Sequence, residues 1–278
     1  MSGTLYLVAT PIGNLGDFSP RAVEILKSAD FIAAEDTRVT IKLLNHFNIK
    51  KPLISYFEHN RVYSGEKILE RLISGENVAL VSDAGMPAIS DPGEEMVKLC
   101  AKENVPVFCV PGACAAVTAL AVSGLSTQRF TFEGFLSTSN KSRAEHLESL
   151  KNERRTMIIY EAPHKLMATL SDLRDTFGGE RELSLSRELT KIYEETLRTT
   201  IDGAIEHFTS TPPKGEFVLV VSGAPESDLP EMTLEQAMER VDFYRNEGKS
   251  LKEASRLAAE DTGYSKNELY GAAVEKTK

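Results

Sequence analysis

Basic charge is in short supply: 32 Lys and Arg stand against 41 Asp and Glu, a formal net charge of −9. A protein that grips phosphates through bulk charge is basic, so loose, sequence-blind nucleic-acid binding is excluded as the main activity. A nucleic-acid partner would have to be met by a local basic face, or as a shaped target on a larger particle. Long apolar runs are missing as well. None approaches the roughly 20 residues that a spanning helix needs. Met1-Ser2-Gly3-Thr4 carries no basic stretch ahead of an apolar core, so no secretory signal is expected and the chain is read as cytoplasmic. Cysteine is scarce. Cys100, Cys109 and Cys114 form an odd set without a Cys-x-x-Cys pair, so no structural zinc is expected and all three are read as small buried hydrophobes.

What is present is ordinary globular composition, 41% hydrophobic and 26% charged, on a chain long enough for two α/β domains. Short apolar runs alternate with amphipathic stretches, the pattern of a parallel sheet wrapped by helices. Strands are expected at residues 5–9, 31–34, 53–56, 78–82 and 107–110, with helices starting near Pro20, Arg38, Val62 and Glu94. Ser19 before Pro20 is a cap and first-turn pair. A small apolar helix spans about 114–123, and beyond Gly124 the pattern restarts. Residues 130–136 alternate like a half-buried strand, and a charged helical stretch follows. Then come strands at 156–160, 183–186 and 217–222, with a helix from about Pro163. The stretch 224–230 reads as a linker, and 233–275 as three short helices broken at Gly248 and Gly263. The expected division is an N-terminal α/β domain over 1–122, a second over 123–226 and a helical module over 230–278.

Four loops follow expected strands. Ala9-Thr10-Pro11-Ile12-Gly13-Asn14-Leu15-Gly16-Asp17 is neither G-x-G-x-x-G nor a P-loop, and no Lys follows its glycines, which argues against dinucleotide or ATP-phosphate binding. Ser82-Asp83-Ala84-Gly85-Met86 through Asp91-Pro92-Gly93 sets two carboxylates and two Pro/Gly clusters past the carboxyl end of a strand, where open α/β sheets hold ligands. Pro111-Gly112-Ala113-Cys114-Ala115 has small residues that suit either a flat ligand or tight helix packing. Tyr160-Glu161-Ala162-Pro163-His164-Lys165 ends the first apolar strand of the second domain.

Taken in order, these loops resemble the tetrapyrrole methylase superfamily, and within it the ribosomal RNA small-subunit methyltransferase I family. Ala34-Glu35-Asp36-Thr37-Arg38, Ser123-Gly124-Leu125, Phe132-Glu133-Gly134-Phe135-Leu136, Arg187-Glu188-Leu189-Thr190-Lys191 and Gly215-Glu216-Phe217 complete the set, which covers nearly the whole chain. Met86 stands where that family usually has Thr, and Lys165 where it usually has Arg. The resemblance implies two α/β domains with S-adenosyl-L-methionine in the cleft between them, a homodimer, and methylation of a cytidine ribose 2′-hydroxyl at the decoding centre of 16S rRNA. Tyr264–Tyr270 resembles the family's C-terminal helical module.

On this reading the cofactor is met by Pro11, by Asp83, Ala84, Gly85 and Met86, by Gly112, Ala113, Cys114 and Ala115, and by Tyr160, Glu161 and Ala162, with Ser186 and Arg187 adding contacts. Asp83 is also an ordinary turn or cap residue. A ribose hydroxyl is a poor nucleophile near neutral pH, so a general base or strict alignment is needed. Asp36, Asp91, Glu188 and Lys191 are the candidates, Asp36 doubling as a helix cap, and His59 could titrate usefully. Cations for an RNA face are Arg38, Lys42, Arg61, Lys141, Arg143, Arg187 and Lys191. The charged run from Lys141 to Arg155 is read as a solvated helix face. Two other readings stand beside this one. A tetrapyrrole methyltransferase would open on G-x-G-P-G-D, where this chain has Thr10-Pro11-Ile12-Gly13-Asn14; a non-catalytic sensing module would show degraded loops.

Overall fold

A computed structural model describes residues 2–225 and 233–276. The chain divides into two compact units, Met1–Gly223 and Ala224–Lys278. The first unit opens with a five-stranded parallel sheet of β1 (Leu5–Val8), β2 (Phe31–Ala34), β3 (Leu53–Ser55), β4 (Val78–Val81) and β5 (Val107–Val110), in the order β3-β2-β4-β1-β5. Side-chain alternation divides these apolar strands between two cores. Leu5, Leu7, Phe31, Ala33, Val78 and Leu80 pack with Ile68 and Leu72 of α3 (Arg61–Ile73) and with Met96 and Cys100 of α4 (Gly93–Lys102). Val8, Ile32, Ala34, Ala79 and Val81 pack with Ala22 and Leu26 of α1 (Pro20–Ser28) and Leu44 of α2 (Thr37–His46). Ser19 caps α1 by accepting from the Ala22 amide, and Pro20 fills the first turn, as the sequence predicts.

A second sheet carries β6 (Phe130–Phe135), β7 (Thr156–Glu161), β8 (Glu182–Arg187), β9 (Glu195–Thr200) and β10 (Phe217–Val221), ordered β6-β7-β10-β8-β9. Only β6 and β7 run parallel; the other pairings are antiparallel. One face packs on α6 (Asn140–Leu150), α7 (Leu166–Phe177) and α8 (Ile201–Ser210). The other packs Ile158, Val218 and Val220 against Ala116, Ala119 and Leu120 of α5 (Ala115–Val122), so this small apolar helix covers the second sheet.

The second unit is α9 (Leu234–Asn246), α10 (Leu251–Thr262) and α11 (Lys266–Lys276) around Ala237, Val241, Ala254, Ala258 and Leu269. Thr233 and Gln236 form a reciprocal capping box on α9, and Gly263 ends α10 at φ +75°.

The structure departs from the sequence reading at β9 and α8, at the Pro163 turn and at Cys109. The strand β9 and helix α8 were not expected; β9 is an edge strand without a fully buried residue, so the apolar pattern does not mark it. Pro163, His164 and Lys165 form a turn, and the helix expected from Pro163 begins at Leu166. Cys109, expected inside, is exposed because β5 is an edge strand with an uncovered face; Cys100 is buried and Cys114 half-buried. Of the linker read at 224–230, residues 226–230 lie outside those described.

Candidate active site

Parallel strands leave their carboxyl ends at one edge of a sheet, and there the Met1–Gly223 unit holds a cavity of about 600 Å³. Its wall comes from the loop after β4, the start of α5, the ends of β6 and β7, the loop after β8 and the start of β10. The first loop is held by backbone pairing. The Thr10 amide donates to Gly85 O at 2.9 Å and the Gly85 amide to Thr10 O at 3.1 Å, joining the turns that follow β1 and β4. The Ser82 hydroxyl also donates to Gly85 O, at 3.2 Å. Asp91 Oδ1 accepts the amides of Ala88 (2.9 Å) and Gly93 (2.7 Å), closing the far end of the loop. Ala88 and Ser90 there, and Glu188 and Thr190 in the loop after β8, have φ of +68°, +64°, +51° and +68°. Such conformations cost on the order of 1–3 kcal/mol each and persist where the surroundings impose them, as at ligand sites.

Charge is concentrated in this wall. Lys191 Nζ lies 3.0 Å from Glu188 Oε1 and 3.5 Å from Glu216 Oε2. Its stem runs across Gly13, where an added Cβ would sit 2.5 Å from Lys191 Cγ. Burial pulls the Lys191 ammonium down, but Glu188 and Glu216 outweigh it and the pKa is raised; the hydrogen bond from Lys191 in turn holds Glu188 below its ordinary value. At neutral pH this is a carboxylate–ammonium pair, so Lys191 supplies positive charge and does not accept a proton. Across the cavity, burial pushes the Glu35 carboxyl up, reinforced by the charges of Asp83, Asp91 and Asp36. Burial raises Asp91 too, against the two amides it accepts.

A carboxyl raised on folding contributes stability that is full below its unfolded pKa and lost as pH climbs through the folded value. Glu35→Gln is therefore expected to melt above the unsubstituted protein near neutral pH, with the gap closing below the ordinary carboxylate range. Thermal melts across pH would test this; equal melting temperatures near neutrality would mean that Glu35 is not strained by its surroundings.

Of the residues expected at the site, Asp83, Ala84, Gly85, Met86, Asp91, Cys114, Ala115, Tyr160, Glu161, Ala162, Glu188 and Lys191 line the cavity together. Asp83 also pins its loop to the exit of β2, accepting the Asp36 amide at 2.9 Å. The Tyr160 hydroxyl accepts the Ala116 amide at 3.1 Å and so caps α5, which has no side-chain cap of its own; burial pushes its pKa up to about 12. Glu161 is buried, accepts the Ala162 amide at 2.8 Å and bonds the Thr169 hydroxyl, which Arg143 also reaches at 2.7 Å. Other expected residues lie elsewhere. Asp36 caps α2 and chelates Arg38, which holds its carboxyl at about 2. Pro11 lines a neighbouring slot of about 250 Å³ with Val39 and Lys42, which shares Ser82 and Asp83 with the main cavity. Gly112 packs against Ala9, where a Cβ would meet Ala9 Cβ at 2.9 Å, and the Ala113 carbonyl faces Gly85. Ser186 is fully buried beside the Thr196 hydroxyl at 3.0 Å, and Arg187 pairs with Glu195 at 2.6 Å. His59 packs edge-on to Phe57 and does not line the cavity.

Sequence reasoning passed over Glu35, although it quoted the motif that contains it. A strand end places successive side chains on opposite sides, so Asp36 turning back to cap α2 is the signal that Glu35 faces the ligand side. Among the cations proposed for an RNA face, all but Lys42 hold a carboxylate.

The fold and the cavity together define a class. The family model described as Tetrapyrrole (Corrin/Porphyrin) Methylases matches residues 4–204. The crystal structure of uroporphyrin-III-C-methyltransferase from Thermus thermophilus superposes with a TM-score of 0.56 at 18% identity, covering 78% of this chain and 94% of that one. Within that class the relatives are specific. A "Ribosomal RNA small subunit methyltransferase I" from Synechocystis sp. is 52% identical over 98% of each chain. Another of the same name, from Halalkalibacterium halodurans, is 49% identical over 96% of this chain and 93% of its own. This chain belongs to the ribosomal RNA small subunit methyltransferase I family, within the tetrapyrrole methylases.

Proposed function

We propose that the protein transfers a methyl group from S-adenosyl-L-methionine to the ribose 2′-hydroxyl of one cytidine in the decoding centre of 16S rRNA. The observation that carries this reading is identity of 52% to a relative of that name over 98% of both chains.

The residues present suit the methyl donor. Ala84, Gly85, Ala115 and Ala162 keep side-chain bulk out of the wall, Ile12, Met86 and Leu189 give apolar contact, and Asp83 and Glu35 offer carboxylates to a cation. Adenosylmethionine, when bound, supplies a methyl group already activated on a positive sulfur. Methylation of the ribose oxygen would require the hydroxyl to give up its proton to the protein. Glu35, whose proton affinity is raised, takes that proton. Lys191, kept charged by Glu188, stabilises the negative charge that grows on the ribose oxygen. Asp91 braces the loop after β4.

The same reading makes the protein a cytoplasmic homodimer acting on rRNA within the small ribosomal subunit. No described helix is long and apolar enough to cross a membrane. Small subunits lacking the modification, incubated with the protein and methyl-labelled adenosylmethionine, should acquire one 2′-O-methylcytidine at the decoding centre by mass mapping. Labelling of a uroporphyrinogen instead of the rRNA would overturn the assignment. Light scattering should return twice the chain mass.

A further inference from the structure

Where does a chain of net charge −9 hold an RNA, if all of its nominated cations but Lys42 are already paired? Among the described residues of the Met1–Gly223 unit, two arginines make no side-chain hydrogen bond or ion pair, and both line one groove. Arg129 and Arg154 share it with Gln128, Asn152 and Arg155, in a volume of about 600 Å³. Every other arginine of that unit holds a carboxylate or a backbone carbonyl, from the Arg71–Glu76 pair to Arg198 on Val122 O. The groove's one carboxylate, Glu153, is locked in a two-point pair by Arg155, at 2.8 and 2.6 Å, which leaves Arg129 and Arg154 uncompensated.

The floor is fixed. The Thr156 amide donates to Arg129 O at 3.2 Å, and the Thr156 hydroxyl to Ser126 O at 2.7 Å. The position is also defined by the sheet. Parallel strands β6 and β7 begin at this groove, at Phe130 and Thr156, and end at the cavity, at Phe135 and Glu161. Strand rise puts the two sites roughly 17–20 Å apart on one rigid element.

We infer that this groove is a second RNA contact, which takes phosphates of the rRNA backbone while the cavity takes the reacting nucleotide. The inference rests on the proposed rRNA substrate. Planar guanidinium groups beside the amides of Gln128 and Asn152 form a donor-rich surface suited to phosphate oxygens. No aromatic side chain lines the groove, so it offers no platform for stacking bases. Contacts of this kind set register and orientation without reading sequence. They also explain how an acidic protein can hold RNA through a local face.

The test is small-subunit binding and methylation by the full chain carrying Arg129→Gln and Arg154→Gln together, with Arg129→Lys plus Arg154→Lys as the conservative pair. Both positions are exposed, so folding should be undisturbed, which melting curves will verify. For the glutamine pair we expect the slope of log affinity against log salt to flatten by about 2, roughly one for each lost phosphate contact. KM for small subunits should rise about tenfold or more, with kcat at saturating subunits and the affinity for adenosylmethionine unchanged. The lysine pair should recover most of the slope. An unaltered slope and KM would overturn the inference while leaving the methylation reading intact, and would point to an acidic protein partner for the groove. Failure of the unsubstituted protein to bind or methylate small subunits would remove the substrate, and the inference with it.

Discussion

Replacing Lys191 with alanine is expected to lower kcat for ribose methylation by about 10²–10³-fold, with little change in the affinity for adenosylmethionine. The ammonium is the one positive charge in a wall that otherwise presents Glu35, Asp83, Asp91, Glu161, Glu188 and Glu216. Without it, negative charge developing on the ribose oxygen would face carboxylates alone. A preorganised donor loses most of its effect at the step where charge appears, so the loss falls on kcat. Glu188 would also lose the hydrogen bond that keeps its pKa low, and an extra ionisation should enter the pH–rate profile. Gly13→Ala offers an independent route to the same defect. Its methyl would sit 2.5 Å from Lys191 Cγ and displace the stem without removing the charge. Single-turnover methylation of small subunits is the measurement. A kcat for Lys191→Ala within a few-fold of the unsubstituted protein would place this charge away from the reacting atoms and leave Glu188 and Lys191 as a structural pair.

How far the sequence alone leads depends on which physical signal carries each part. The strands β1, β2 and β4 are legible because a parallel sheet covered on both faces needs unbroken apolar runs, and Phe31–Ala34 and Val78–Val81 supply them. The edge strand Glu195–Thr200 pairs only with β8 and keeps polar residues on both sides, so neither periodicity nor apolar density marks it. The loops that wall the cavity are legible through residues with special backbone demands, such as Gly85 at φ +84°. The assignment of charges is not. Glu35 and Asp36 are neighbours with the same chemistry, and only the geometry of the β2–α2 junction sends one to the cavity and the other to Arg38. Likewise Arg143, Arg187 and Arg38 look free in sequence because their acidic partners come from folding or from local turns. Lys191 meets Gly13 across the unit, a contact that no local pattern contains.

Gly85→Val is expected to damage both the stability and the cofactor site while leaving every charge in place. Gly85 sits at φ +84°, a region that costs an L-residue on the order of 1–2 kcal/mol and a β-branched one more. A Cβ there would lie 3.2 Å from Ile12 Cγ2 and 3.3 Å from Ala113 O, tighter than ordinary contact on two sides at once. One neighbour belongs to the loop after β1, the other to the loop before α5, so relief of either clash pushes apart the walls of the cavity. The Thr10–Gly85 pairing that joins two of these loops would be lost in the same movement. We expect stability to fall by about 1–3 kcal/mol, read from the urea midpoint, and the affinity for adenosylmethionine to fall at least tenfold by calorimetry. Gly85→Ala should show a smaller loss of both kinds. Gly248→Ala separates the causes, since Gly248 has φ +86° but nothing within 4 Å of an added Cβ, and it lies in the other compact unit. It should carry the backbone cost and leave the affinity untouched. If Gly85→Ala and Gly248→Ala behave alike, with adenosylmethionine bound normally by both, Gly85 serves only to make a turn, and the loop after β4 loses its place in the cofactor site.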